Sequence, residues 1–277
     1  MPKPRACAPV HDPLRLVAFD LDGTLIGRDL IVRPRVREAI ARMLAAGVQG
    51  CIVTGRMYRA AVGYARELGF EAPVVCYQGA AIVDPTTDVV LRDVPLSPPA
   101  VAEVIAAAQE TGAHLQLYRN DEYYCEVDNR FAELYASLSG FGPVIVPSLR
   151  EAFAFSPATK AVAIDDPPRA AELAAFFAQR LQSSAYVTRS YPEFVEILNP
   201  AVDKGEALRF VAAHLGIEIA DVAAIGDSWN DAPLLEAAGF GIAMGSAPGE
   251  LRAAAKAAVA DVANDGVAEA IERYVLA

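Results

Sequence analysis

Positive charge is in short supply. Lys and Arg number 24 against 35 Asp and Glu, which leaves a formal net charge of −11 at pH 7. A chain this acidic does not hold nucleic acid or an anionic membrane by bulk electrostatics. Any anion must be bound by a local site working against the overall field. Cysteine is sparse as well. Cys7, Cys51, Cys76 and Cys125 lie far apart with no CxxC pair, which argues against a disulfide framework or a zinc site and reads as small hydrophobes in a reducing cytoplasm. The three histidines, His11, His114 and His214, lack any ligand spacing such as HExxH. No apolar run reaches the roughly 18 residues of a membrane span. Prolines interrupt "MPKPRACAPVHDPLR", where a signal peptide needs an apolar helix. The expectation is a cytoplasmic protein with a short disordered leader and neither a nucleic-acid nor a membrane partner. Its oligomeric state, monomer or dimer, is open. Repeats, low-complexity tracts and heptad runs are also missing.

What is there is apolar and ordered. The 277 residues are 54% hydrophobic, enough for one large domain or two modest ones. "RLVAFD", "RPRVREAIARMLAAG", "VQGCIVTG", "RAAVGYARELG" and "PVVCYQG" alternate strand and helix patterns, which favours a parallel sheet covered by helices. The pattern resumes near the C-terminus with "DKGEALRFVAAHLG", "ADVAAIGD", "NDAPLLEAAG", "FGIAMG" and "DGVAEAIERYVLA". The middle differs. Strands at "VVLRDV", "HLQLYR", "YYCEV", "PVIVP", "KAVAID" and "AYVTRS" mix with three helices without strict alternation. The expected architecture is α/β: a Rossmann-like parallel-sheet core from residues 1–84 and 190–277, with an inserted α+β module over 85–189.

The stretch "LVAFDLDGTLIG", Leu16 to Gly27, ends an apolar strand in two like charges one residue apart. In an open α/β sheet ligands bind beyond the carboxyl ends of the strands, and residues two apart point the same way. Asp20 and Asp22 can therefore face one site while Leu21 packs behind. Gly23 permits the turn, and Thr24 adds a hydroxyl. Either a divalent cation or a shared proton makes two close carboxylates tolerable. An EF-hand alignment fails, because it puts Ala18 at the first ligand position. A glycosidase pair flanks its sugar from opposite sides rather than from one strand. A solvated strand end with an Asp-Gly turn is the bland alternative.

Three further stretches bear on the choice. "CIVTGR" places Thr54, Gly55 and Arg56 at another strand end, though a capped loop explains that as well. "DKGEAL" starts a helix with Lys204, where a lysine opposes the helix dipole unless an anion is near. "AAIGDSWNDAP" ends a strand in Asp227, followed by Asn230 and Asp231. Such an acid cluster suits a cation site, with an aspartate N-cap as the plainer reading.

Taken in order, "DLDGTL", "TGR", "KGEAL" and "GDSWND" resemble the haloacid dehalogenase (HAD) superfamily of phosphohydrolases. The long insert is similar to the cap of the type IIB, Cof-like branch. The resemblance implies a HAD core with an inserted cap and a Mg²⁺-dependent phosphatase acting on a small-molecule phosphomonoester, sugar phosphates leading. It implies that Asp20 is the nucleophile and Asp22 the general acid and then base. Thr54 and Gly55 would bind the phosphoryl oxygens, Lys204 would neutralise charge, and Asn230 would orient the phosphate. Asp20, Asp22 (through its backbone carbonyl) and Asp227 would hold Mg²⁺, with Asp231 supporting that shell. Two positions depart from the pattern: Gln78 stands where Asn is common, and Trp229 where a small residue is common. Tyr118, Arg119, Tyr123 and Arg189 are candidate cap contacts. A phosphomutase or phosphotransferase of the same fold is the main alternative; a non-catalytic binding protein on this scaffold is the second.

Overall fold

The computed structural model describes residues 14–277; Cys7, His11 and the expected leader lie outside them. The first stretch runs β1 (Leu16–Phe19), α1 (Pro34–Ala45), β2 (Gln49–Ile52), α2 (Tyr58–Leu68), β3 (Val74–Cys76), β4 (Ala81–Val83) and β5 (Val90–Asp93). Then come α3 (Pro98–Thr111), β6 (His114–Arg119), β7 (Glu122–Cys125), α4 (Arg130–Ser139), β8 (Val144–Ile145), α5 (Leu149–Ala152), β9 (Ala161–Ile164), α6 (Pro167–Leu181), β10 (Tyr186–Tyr191) and β11 (Phe194–Leu198). The chain closes with α7 (Lys204–His214), β12 (Val222–Gly226), α8 (Ala232–Ala237), β13 (Phe240–Ala243), α9 (Gly249–Ala254), β14 (Ala257–Ala258) and α10 (Gly266–Ala270).

A five-stranded sheet of order β14-β13-β12-β1-β2 is parallel throughout. Its central strands are buried on both faces, as a sheet sandwiched by helices requires. Val17 and Phe19 pack toward α1, α2 and α10, while Leu16 and Ala18 pack toward α7 and α8. Helix α1 shows why a helix forms there: Pro34 starts it, and Val36, Ala39, Ile40 and Met43 recur at helical spacing on the buried face. Each large apolar side chain so buried contributes about 1.5–3 kcal/mol. Helix α2 ends at Gly69, whose left-handed φ of 73° stops it.

The second sheet has six strands in the order β10-β11-β9-β6-β7-β8, all antiparallel except the β7–β8 pair. Alternation assigns its faces. Leu115, Leu117, Val195 and Ile197 point at helices α3 and α6. Tyr118, Val162 and Phe194 point the other way, into the apolar cluster shared with the core.

Three strands were not expected: the two-residue β14, and β4 and β11. β4 is only three residues long, and β11 ("FVEIL") carries a glutamate inside its apolar run, which hides the strand pattern. Both are strands because pairing supplies what their sequences do not: β4 lies between β3 and β5, and β11 between β10 and β9. The expected cut at 84/85 falls in the β4–β5 hairpin, and the cut at 189/190 falls inside β10. The chain passes between the sheets near 94–97 and 199–203, where the Asn199 side-chain amide donates to the Pro95 carbonyl at 2.8 Å. Among the described residues, no helix is long and apolar enough to cross a membrane. Cys51, Cys76 and Cys125 are free and buried.

Candidate active site

Strand β1 delivers Asp20 at its carboxyl end, where the Asp20 N–H still donates to Ile225 at 2.9 Å. The chain then turns through Gly23, whose φ is +81°. A β-carbon there would lie 2.2 Å from Asp227 Oδ2, so this turn needs glycine for its backbone angle and for close approach. Beyond β12, Ser228 and Asp231 form a reciprocal cap. Asp231 Oδ2 accepts from the N–H groups of Asp227 and Ser228 at 2.9 and 3.0 Å. That fixes the carboxylate and leaves its other oxygen for Lys204.

Lys204 opens α7, behind the Asp203 cap. Its ammonium is fully buried and reaches Asp20 Oδ1 at 2.5 Å and Asp231 Oδ1 at 2.7 Å. This explains a lysine at a helix N-terminus: two carboxylates outweigh the dipole. Burial alone would lower the Lys204 pKa, but Asp20 and Asp231 hold it up. One cation does not satisfy the whole cluster. Burial, then the Asp231 charge, push Asp20 up to about 8; burial, then Asp20 and Asp231, push Asp227 up to about 9. Asp20, Asp227 and Asp231 each offer an oxygen within 4.8 Å of the others, and Asp227 Oδ1 is buried without a partner. An all-oxygen, charge-deficient cluster with an orphaned carboxylate atom fits a hard divalent cation.

The second carboxylate of the opening pair is placed differently. Arg56 grips Asp22 with both arms, Nε to Oδ2 at 2.8 Å and Nη2 to Oδ1 at 2.7 Å, a bidentate fork. The side chain of Asp22 thus stands apart from the acid cluster while still lining the same cavity. Beside it, Thr54 Oγ1 accepts from the Arg56 N–H at 3.1 Å, and Thr54 lines the cavity. Asn230 donates through Nδ2 to Gln78 Oε1 at 2.8 Å. Asp20, Asp22, Thr54, Gly55, Asp227 and Asn230 all line one cavity, and Lys204 and Asp231 back its floor.

The opposite wall comes from the six-stranded sheet and α4, and it is not the wall expected from sequence. Tyr118 and Tyr123 are fully buried and stack at 5.7 Å between centroids. Arg119 lies over Phe153 and donates to the Ala152 carbonyl. Arg189 lies 4.8 Å from the centroid of Trp229 and donates to Pro192. None of these four lines the cavity. Tyr135, Leu138, Tyr191 and Phe194 do, with Lys160 and Glu196. Lys160, 1% exposed, reaches Glu196 at 2.7 Å and the Gly55 carbonyl at 2.8 Å. Ser190 donates to the other Glu196 oxygen at 2.7 Å. The available signal was a lysine heading one apolar run ("KAVAI") and a glutamate within another ("FVEIL"), opposite charges that burial obliges to pair.

A haloacid dehalogenase-like hydrolase family model matches residues 17–271. The chain belongs to this family. An HMP-PP phosphatase of Cronobacter sakazakii is 30% identical over 86% of this chain and 87% of its own. The pyridoxal phosphate phosphatase YbhA of Escherichia coli is 27% identical over 95% of this chain and 99% of its own. A solved HAD subclass IIB sugar phosphatase superposes with a TM-score of 0.83 at 20% identity, covering 95% of this chain and 100% of that one. The family member therefore has the IIB fold, and its kinship is to phosphatases.

Proposed function

We propose that this family member is a Mg²⁺-dependent phosphatase that hydrolyses small organic phosphomonoesters through a phosphoaspartate on Asp20. The observation that carries the reading is the pairing of two differently held carboxylates at one cavity. Asp20 is tied to a buried ammonium, and Asp22 to a guanidinium fork.

Asp20 Oδ attacks phosphorus, and the bond from phosphorus to the ester oxygen breaks. Asp22 gives that oxygen its proton. Asp22 then takes a proton from water, whose oxygen attacks the phosphorus of the acyl phosphate and releases phosphate and Asp20. Splitting one displacement into two lowers each barrier. For Asp22 to donate, one arm of the Arg56 fork must let go, so Arg56 governs when Asp22 can carry a proton. Lys204 offsets negative charge on Asp20 and the phosphoryl group, while Thr54, the Gly55 N–H and Asn230 hold the phosphoryl oxygens. Asp20, Asp227 and the Asp22 backbone carbonyl would hold Mg²⁺, with Asp231 behind; the ion supplies positive charge against the approach of two anions.

We place the cap between the crossings near 94–97 and 199–203 and take its cavity wall as the selector of the leaving group. Sugar phosphates lead as substrates. The aromatic wall of Tyr135, Tyr191 and Phe194 also favours a flat ring such as that of pyridoxal phosphate, the compound in one relative's name. The cytoplasm is the inferred location, consistent with the buried free thiols. The test is phosphate release from a panel of monoesters with Mg²⁺ and with EDTA, for wild type and Asp20→Asn. Mg²⁺-dependent release that the variant loses supports the reading. Hydrolysis retained by Asp20→Asn overturns the mechanism, and an isomer formed without phosphate release makes the enzyme a mutase.

A further inference from the structure

Cap and core also touch at a second place, away from the cavity. At the β6–β7 turn, Asn120 and Asp121 have φ of 55° and 58°, the two-residue turn that suits twisted antiparallel strands. The Asp121 carboxylate extends from this tip to the core. Its Oδ1 accepts from the Tyr77 hydroxyl at 2.6 Å, and its Oδ2 accepts from the Arg59 backbone N–H at 2.9 Å. Tyr77 begins the turn after β3, and Arg59 lies just beyond the Thr54–Arg56 loop after β2. One residue of the six-stranded sheet thus grips both the first turn of α2 and the turn after β3.

The turn it grips is strained. Tyr77 and Gln78 both have left-handed φ, 52° and 60°, and neither is glycine. Such residues persist only where their surroundings hold them, and they concentrate at functional sites. The backbone supplies part of the hold: the Tyr77 N–H donates to Arg56 and the Gln78 N–H to Thr54, both at 3.0 Å. Asp121 adds to it through the tyrosine hydroxyl, beside the Tyr118 ring packed edge-on against Tyr77.

What the strain presents is a carboxamide. Gln78 is 1% exposed. Its Oε1 is occupied by Asn230 at 2.8 Å, while its Nε2 is buried with no partner. That Nε2 lies where a β-carbon on Gly55 would be only 2.3 Å away, so the glycine leaves room for it. A buried donor without an acceptor is costly. Gln78 does not itself line the cavity, but its Nε2 lies directly behind Gly55 and beside Thr54 and Asn230, which do, one layer from where an anionic oxygen would sit.

We propose that Asp121 is a positioning residue that, through the Tyr77 hydroxyl, holds the Tyr77–Gln78 turn so that Gln78 Nε2 serves as a further donor to the phosphoryl group. Docking of the cap and binding of phosphate are then coupled. This rests on the phosphatase reading above. A purely structural Asp121 would lower stability and leave phosphate affinity alone.

The test is calorimetric binding of inorganic phosphate to the full chain with Mg²⁺, in a double-mutant cycle. The variants are Tyr77→Phe, Gln78→Gly and both together; glycine accepts the left-handed φ without strain. Gln78→Gly is expected to weaken phosphate about tenfold, the loss of one hydrogen bond to a charged group. Tyr77→Phe should weaken it about threefold, and the double variant no more than Gln78→Gly alone, because Tyr77 acts through Gln78. Asp121→Ala should match Tyr77→Phe, while Asp121→Asn, whose one amide oxygen can serve the Tyr77 hydroxyl but not the Arg59 N–H as well, should recover affinity only in part. Losses that multiply in the double variant, or an unchanged affinity in either single variant, overturn the inference. If wild type neither binds phosphate nor releases it from monoesters, the phosphatase reading itself falls; wild-type binding with multiplying losses overturns this coupling alone.

Discussion

The two walls of the cavity are built on opposite rules. The core wall gathers more negative charge than its one ammonium neutralises, so Asp20 and Asp227 are pushed up by burial and by their neighbours. The cap wall is balanced: Lys160 and Glu196 are both buried and bonded to each other, and around them stand aromatic rings. A wall with excess negative charge is left wanting a cation, and on the proposed function it accepts an anion only once that cation is in place. A balanced wall is complete as it stands and can only select by shape and by the few contacts it has to spare. On the proposed function, reaction and choice are divided between two sheets.

The largest expected effect breaks the core wall. Asp20→Asn keeps the shape and a hydrogen-bond acceptor but removes the nucleophile. Turnover should fall by at least about a thousandfold, measured as phosphate release under saturating substrate. Circular dichroism should show the fold retained. A loss of only a few-fold would make Asp20 a ligand rather than the attacking group.

Next comes the cap wall. Lys160→Met leaves Glu196 buried without its ion partner, which costs about 3–5 kcal/mol in a urea titration. Replacing both, Lys160→Met with Glu196→Leu, should recover most of that, because a well-packed apolar pair is close to neutral. If the single variant is as stable as wild type, the pair does not hold this wall. If the double variant folds well but its substrate ranking changes, the pair's role is selection.

The two walls also differ in how far their residues were legible in the sequence. Asp20, Thr54, Gly55, Lys204, Asp227 and Asn230 sit at strand ends or a helix start, where local pattern shows the geometry, and the structure brings them to one place. The parallel core was legible for a similar reason: its strands are continuous apolar runs and its helices have clear apolar stripes. The cap was harder. Tyr118 and Tyr123 look like ligand contacts in sequence, yet pleat and pairing turn them into the apolar layer between the sheets. Lys160 and Glu196 are 36 residues apart, and only the pairing of β9 with β11 brings the residue before β9 beside the middle of β11. Arg56 was visible at its strand end, but its fork on Asp22 was not, because a side-chain direction across 34 residues is a tertiary fact.

The imbalance of the core wall can be sharpened by pH. Asp20 and Asp227 stand at about 8 and about 9 against an ordinary 3.8. Without a cation, the native state keeps protons that the unfolded chain has released above about pH 4, so stability must fall as pH rises through that window. A divalent cation displaces those protons, and its stabilising effect grows as pH rises. The melting temperature in EDTA should therefore drop between about pH 5.5 and about pH 8, and the gain from added Mg²⁺ should be larger at the higher pH. A gain independent of pH would mean that the ion does not sit on these carboxylates.

The smallest effect lies where the walls meet at the rim. Arg189 of the cap lies 4.8 Å from the ring centroid of Trp229 in the core, and Trp229 is 40% exposed. A half-exposed cation–π contact contributes about 0.5–1 kcal/mol. Arg189→Ala should cost no more than that in stability, and less than about fivefold in KM, with kcat unchanged. The reason is geometric: neither side chain of the pair lines the cavity, so its loss leaves the residues that do in place. An equal fall in kcat would move Arg189 from the rim into the reaction, and the division between a reacting core and a selecting cap would fail at that point.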